Sequence, residues 1–219
     1  MDNGGMGRPL EQARALLRRH RLGRLVASHP DGIETRAEDA HFVIDGSTGL
    51  LVFSVTRVLL ELGEHTLFVP DETMPGDEET LEAVVEMAHE PPVPERLRDR
   101  HMAYHGHIRG GVWVWMKILS GRLDDDLFDG DELMQVNALG QCESRLCRAC
   151  NQMGPKLVEM CRRRFGTMLG SATVVGVDGH GLDVRLAHGV RRVEFEHPAE
   201  NEEQAMRLIR EVLDAGESL

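Results

Sequence analysis

The stretch VWVWMKILSGRLDDD, residues 112–126, alternates apolar and polar positions and is rich in β-formers. It is the clearest long strand signal in the chain. Shorter signals of the same kind lie before it. GRLVASHPDG (23–32) reads as a strand ending in a turn. ETRAEDAHFVIDGSTGLLVFSV (34–55) reads as two strands joined by a turn at Asp45–Gly49, and HTLFVP (65–70) reads as another strand. TLEAVVEM (80–87) fits a strand or a short helix. LEQARALLRRHRL (10–22) spaces its apolar residues as an amphipathic helix does. In PPVPERLRDRHMAYHGHIRGG (91–111) the prolines predict a turn leading into a short helix. FDGDELMQVNAL (128–139) reads as a turn and a helix start.

The second part has a different pattern. Residues 143–165 are strongly helical in composition. SATVVGVDGHGLDVRL (171–186) reads as two strands across a tight turn at Asp178–Gly181, and VRRVEFEHP (190–198) as a third. NEEQAMRLIREVLDAG (201–216) carries an Asn cap, early acids and a terminal glycine, which mark a closing helix. The expected organisation is α-β-β-β-α over about 75 residues, with no internal repeat.

With 219 residues, 41% of them apolar, the chain is long enough for one large domain or two small ones with real cores. Aromatics are only 4%, so Leu, Val, Met and Ala must fill those cores. No secretory leader and no membrane-length apolar run stands out, so a cytoplasmic protein with reduced thiols is expected. The net charge of −12 comes from the first part. Residues 1–143 hold 14 basic and 26 acidic residues, while residues 144–219 hold 11 of each. Such a surface repels phosphate backbones, so nucleic acid is not an expected partner. Residues 71–95 hold nine of the acids and no Lys or Arg, and read as a solvated acidic face.

Three of the four cysteines, Cys142, Cys147 and Cys150, have the C-x4-C-x2-C spacing of plant-type iron–sulfur ligation. On a continuous helix over 143–165, however, Cys147, Cys150, Gly154, Leu157 and Cys161 form one stripe. Cys161 would then lie more than about 15 Å along the axis from Cys147. Core packing is the expected role of the cysteines. His101 and His105 stand at i, i+4 with His107 beyond, a spacing that can present imidazoles to one metal or to haem iron; the plainer alternative is a polar helix end. Asp124, Asp126 and Asp129 miss the calcium-loop pattern. Phosphate-loop and nucleophile-elbow motifs are absent. Arg162–Arg164 suit the C-terminal end of a helix.

A family likeness rests on RACNQMGPKLVEMCRRRFG (148–166), VVGVDGHGLDVRL (174–186) and RRVEFEHPAENEEQAMRLIREVL (191–213). Together they resemble the small α+β domain that ends haem-utilisation proteins of the HugZ type and plastid proteins that bind glutamyl-tRNA reductase. In those families it follows a split β-barrel related to pyridoxamine-phosphate oxidase. ARALLRRHRLGRLVASHPDG (13–32) and VWVWMKILSGRLDDDLFDGDEL (112–133) look like that barrel's opening helix and strand and its late strand. The resemblance implies an α+β fold: an FMN-binding-type split β-barrel over 10–138, then a C-terminal α-β-β-β-α domain over 143–216. It also implies a homodimer. In CNQMGP, Cys150 stands where the family's H-M-N-x-D-H motif has its first histidine, and Gly154–Pro155 replace the acid and second histidine. Pro155 there makes a helix start near Met153 the alternative to one continuous helix.

The resemblance carries three functional expectations. The first is haem or tetrapyrrole binding, with oxidative haem breakdown as an associated activity, using His101, His105 or His107 on iron and Arg57 on a propionate. The second is an FMN-dependent oxidoreductase holding the flavin phosphate through Ser54, Thr56 and Arg57, with His65 nearby in FSVTRVLLELGEHTLFVP (53–70). The third is a cofactor-free binding or regulatory protein. No residue is assigned a catalytic role.

Overall fold

The computed structural model describes residues 7–29, 31, 35–71, 79–107, 110–166 and 171–215. The chain divides into two units. One is Met1–Met102 with Gly106–Gln135; the other is Ala103–His105 with Val136–Leu219. Each has its own apolar core.

In the first unit, helix α1 (Gly7–Arg19) precedes strands β1 (Leu22–Ser28), β2 (Thr35–His41), β3 (Val43–Ile44) and β4 (Leu51–Val55). A one-turn helix α2 (Arg57–Leu60) leads to β5 (Glu64–Val69) and β6 (Leu81–Ala88). Helix α3 (Glu95–His105), whose last three residues belong to the second unit, strands β7 (Val112–Leu123) and β8 (Asp126–Asp129) and the short helix α4 (Gly130–Leu133) follow. The strands pair antiparallel in the order β2-β1-β5-β6-β7-β4-β3, with β8 on β7. The sheet curls until β2 lies against β4, which makes a split β-barrel.

The alternation seen in the sequence sets its inside. Leu25, Ala27, Leu67, Val69, Leu81, Ala83, Val114, Met116 and Ile118 are all at most 1% exposed. Ala13, Leu16 and Leu17 of α1 pack into the same core. Beyond β8, the capping box of Asp129 and Glu132 starts α4.

Of the two readings of 80–87, strand or short helix, the structure has the strand. β6 is an interior strand between β5 and β7. Its acids Glu82 and Glu86 share one face, while Leu81, Ala83 and Val85 face the core. Residues 72–78 of the acidic stretch 71–95 lie outside the described residues. Residues 34–55 form three strands rather than two. The first is interrupted at Phe42, whose N–H turns to the carbonyl of Arg21, so β3 forms separately. The turn at Asp45–Gly49 is present as expected. Asp45 accepts from Ser47 Oγ at 2.8 Å, Thr48 Oγ1 at 3.0 Å and Arg96 at 3.3 Å. Burial alone would raise the Asp45 carboxyl, but those hydrogen bonds, helped by the Arg96 charge, hold it below the usual carboxylate range.

The second unit contains helices α5 (Glu143–Gln152) and α6 (Gly154–Phe165), strands β9 (Thr173–Asp178), β10 (Gly181–Leu186) and β11 (Gly189–Glu194), and helix α7 (Glu202–Asp214). The sheet order is β11-β10-β9. The expected single helix over 143–165 is broken at Met153 (φ −90°, ψ 31°), because Pro155 fits only the first turn of a new helix. Asn151 consolidates the break. Its side chain donates to the carbonyl of Val174 at 3.0 Å and accepts from the N–H of Val174 at 2.8 Å, as a neighbouring strand would. The closing helix is capped as expected, with Asn201 Oδ1 accepting from the N–H of Gln204.

Candidate functional site

The residues expected on a cofactor phosphate gather around the C-terminal end of β4. Ser54, the last residue but one of the strand, donates its hydroxyl to the carbonyl of Gly110 at 3.0 Å. Gly111, at φ +96°, follows; a Cβ there would run into the Ser54 hydroxyl. Thr56 begins α2. Its N–H reaches Glu38 Oε1 at 3.2 Å and its hydroxyl reaches Glu38 Oε2 at 2.9 Å. The curl of the sheet brings Glu38, on β2, across to it. Arg57 is exposed on the first residue of α2. His65 is 7% exposed on β5, and its Nε2 donates to the carbonyl of Leu59 at 2.9 Å, which ties α2 to the barrel.

The histidines proposed for a metal are dispersed in environment. His101 is fully buried. Its Nε2 donates to the carbonyl of His41 at 2.6 Å, and its ring meets Trp113 edge-on at 5.0 Å between centroids. Burial pushes its pKa below the ordinary histidine value. His105 is half-buried at the end of α3 and His107 is exposed beyond Gly106, which closes that helix at φ 78°. His101 belongs to the first unit and His105 to the second. Among the described residues no three His, Cys, Asp or Glu side chains are grouped to hold a metal ion.

The cysteines follow the packing expectation. Cys142, Cys150 and Cys161 are buried in the core of the second unit, and none of the four is in a disulfide. Burial pushes the thiols of Cys150 and Cys161 up to about 11, far from the range of a reactive thiolate.

These observations bear on what the site can hold. A flavin phosphate set on Thr56 meets a carboxylate that already takes both of its donors, and the two anions repel. Of the hydroxyls at this end of β4, Ser54's is spent on backbone. The Ser54 and Thr56 hydroxyls are thus already bonded within the first unit, while Arg57 is exposed. For haem, His101 aims Nε2 at a backbone carbonyl from inside the core and does not present it to an incoming iron, while His105 is half-buried and His107 exposed.

No protein-family model matches the chain, and no curated protein matches it either. Solved structures do. A protein of unknown function from Agrobacterium tumefaciens aligns over 94% of this chain and 96% of its own, at 14% identity and a TM-score of 0.72. The likeness is one of fold. A haem-binding protein from Mycobacterium smegmatis aligns over 96% of this chain and 98% of its own at 16% identity, with a TM-score of 0.46. An FMN-binding protein from Syntrophomonas wolfei aligns over 55% of this chain and 89% of its own at 14% identity, with a TM-score of 0.41. No helix among the described residues is long and apolar enough to cross a membrane.

Sequence reasoning reached Ser54, Thr56 and His65 but not Glu38. Glu38 sits on a strand with few buried positions, and nothing in TRAEDAH marks one acid from its neighbour. The single signal is the period of two, which sets Glu38 on the face opposite Ala37 and Asp39.

Proposed function

We propose that this chain is a binding or regulatory protein built on a split barrel, working without a resident flavin or haem. The observation that carries this reading is the carboxylate of Glu38 on both donors of Thr56, where the flavin-dependent alternative needs a phosphate. The haem alternative loses support at His101, whose Nε2 is bonded to the His41 carbonyl inside the core, and keeps His105 and His107 as its candidates.

The test is spectroscopic. The purified full chain is expected to be colourless, and to show no saturable response when titrated with FMN or with haemin. Flavin absorption near about 450 nm, weakened by Thr56→Val or Arg57→Ala, would establish the flavoprotein instead. A Soret band lost in His101→Ala, His105→Ala or His107→Ala would establish haem binding.

A further inference from the structure

Helix α6 starts beside the last turn of α7, and a cavity of about 340 Å³ lies between them. Met153, Pro155 and Lys156 form one wall; Arg210, Leu213 and Asp214 form the other. All six belong to the second unit. The walls are tied together twice. Lys156 Nζ donates to Asp214 Oδ1 at 2.6 Å, and Arg163 Nη2 donates to the carbonyl of Leu213 at 3.0 Å. Leu213 is 2% exposed and packs in the core of the second unit, so the cavity reaches down to that core. Its volume is at the lower end of the range for small-molecule sites.

The charges of the lining are unequal. Arg210 and Asp214 stand at i, i+4 on α7, a spacing at which opposite charges ordinarily pair. Here Asp214 takes Lys156 instead, and Glu211 lies with Arg207 at 3.8 Å. Among the described residues Arg210 makes no ion pair. The cavity therefore carries two cations against one carboxylate, on a chain whose net charge is −12. The other three lining residues, Met153, Pro155 and Leu213, are apolar.

We propose that this cavity binds a small monocarboxylate with an apolar body. The carboxylate accepts from the Arg210 guanidinium, whose fork matches its two oxygens. The apolar body covers Met153, Pro155 and Leu213 and displaces water from them. Asp214 sets the charge of the ligand. It favours one negative group over two, because a second anion in the cavity would meet its carboxylate. The site lies wholly within the second unit, so a cofactor in the barrel neither makes nor removes it.

The test is a titration of the full chain with octanoate, up to about 10 mM, followed by amide NMR. Saturable shifts are expected at the amides of Met153, Lys156, Arg210 and Asp214. Octanamide, which keeps the apolar body and loses the charge, should bind at least about tenfold more weakly. Suberate, which puts a second carboxylate in place of the apolar end, should also bind more weakly than octanoate. Arg210→Gln changes an exposed side chain and should leave circular dichroism unchanged while weakening octanoate at least about tenfold. Arg207→Gln, outside the lining, should bind as the wild type does. No saturable shift at the four amides, octanamide or suberate binding as tightly as octanoate, or an Arg210→Gln variant that binds as the wild type does would overturn the proposal.

Discussion

Asp183 on β10 and Glu38 on β2 make the same bond in opposite surroundings. Asp183 accepts the Tyr104 hydroxyl at 2.7 Å and Glu38 accepts the Thr56 hydroxyl at 2.9 Å. Around Asp183 the site is closed. The residue is 3% exposed, and it shares the Arg192 guanidinium, itself 3% exposed in its side chain, with Asp178 at 2.9 and 2.6 Å. Burial works against the charge on Arg192, but the two carboxylates outweigh it and raise its pKa above the ordinary value. Around Glu38 the site is more open: Thr56 is exposed and Glu38 half-buried. In the second unit the charged cluster is part of the architecture. In the barrel the carboxylate is half-buried and bonded to one hydroxyl and one backbone N–H.

The comparison can be broken most sharply at Asp183. Asp183→Ala leaves Arg192 with Asp178 alone and removes the acceptor of Tyr104. It should cost the full chain about 3–5 kcal/mol, because it strips one partner from a buried ion pair. Urea denaturation followed by circular dichroism measures this, and a loss under about 1 kcal/mol would sink the architectural reading.

Asp45 asks whether burial, or membership of one unit, makes the difference, since it is a barrel carboxylate only 1% exposed. Its folded pKa is lowered, so its contribution is present above the ordinary value of 3.8 and is lost as pH falls through the folded value. Asp45→Asn should cost about 1–2 kcal/mol at neutral pH. The variant should also lose less further stability than the wild type when the pH is taken from about 5 to 2. Parallel acid profiles for the two proteins would remove Asp45 from the account.

The smallest effect belongs to Glu38. Glu38→Gln keeps an acceptor for Thr56 and should change stability by less than about 1 kcal/mol, as exposed charges do. Thermal unfolding decides this; a large loss would make Glu38 structural, like Asp183.

Much of the fold was legible because burial imposes periods on the chain. The alternation in 112–126 marked β7, and the Asn201 cap with its early acids marked α7. In 80–87 the strand, one of the two readings the spacing allows, is the one that forms: its acids occupy one face while Leu81, Ala83 and Val85 fill the other. The continuous cysteine stripe was broken by one ring, Pro155, whose missing N–H outweighs the apolar spacing of the residues around it. At the candidate site Ser54, Thr56, Arg57 and His65 could be named from the sequence. What their polar atoms touch could not.

By itself the sequence determined which residues are apolar at which period, where turns and caps fall, and hence the order of strands and helices along the chain. Only the tertiary structure decided what meets what. Glu38 lies on β2 and Thr56, 18 residues on, just after β4, a strand β2 does not pair with; the curl of the barrel, a sum of small twists over the six strands from β2 to β4, is what joins them. Across the sheet, register likewise aligns Arg24, Phe68, Glu82 and Arg122 from four separate segments. Local patterns record the burial of each residue, while long-range contacts depend on how many strands are summed between them.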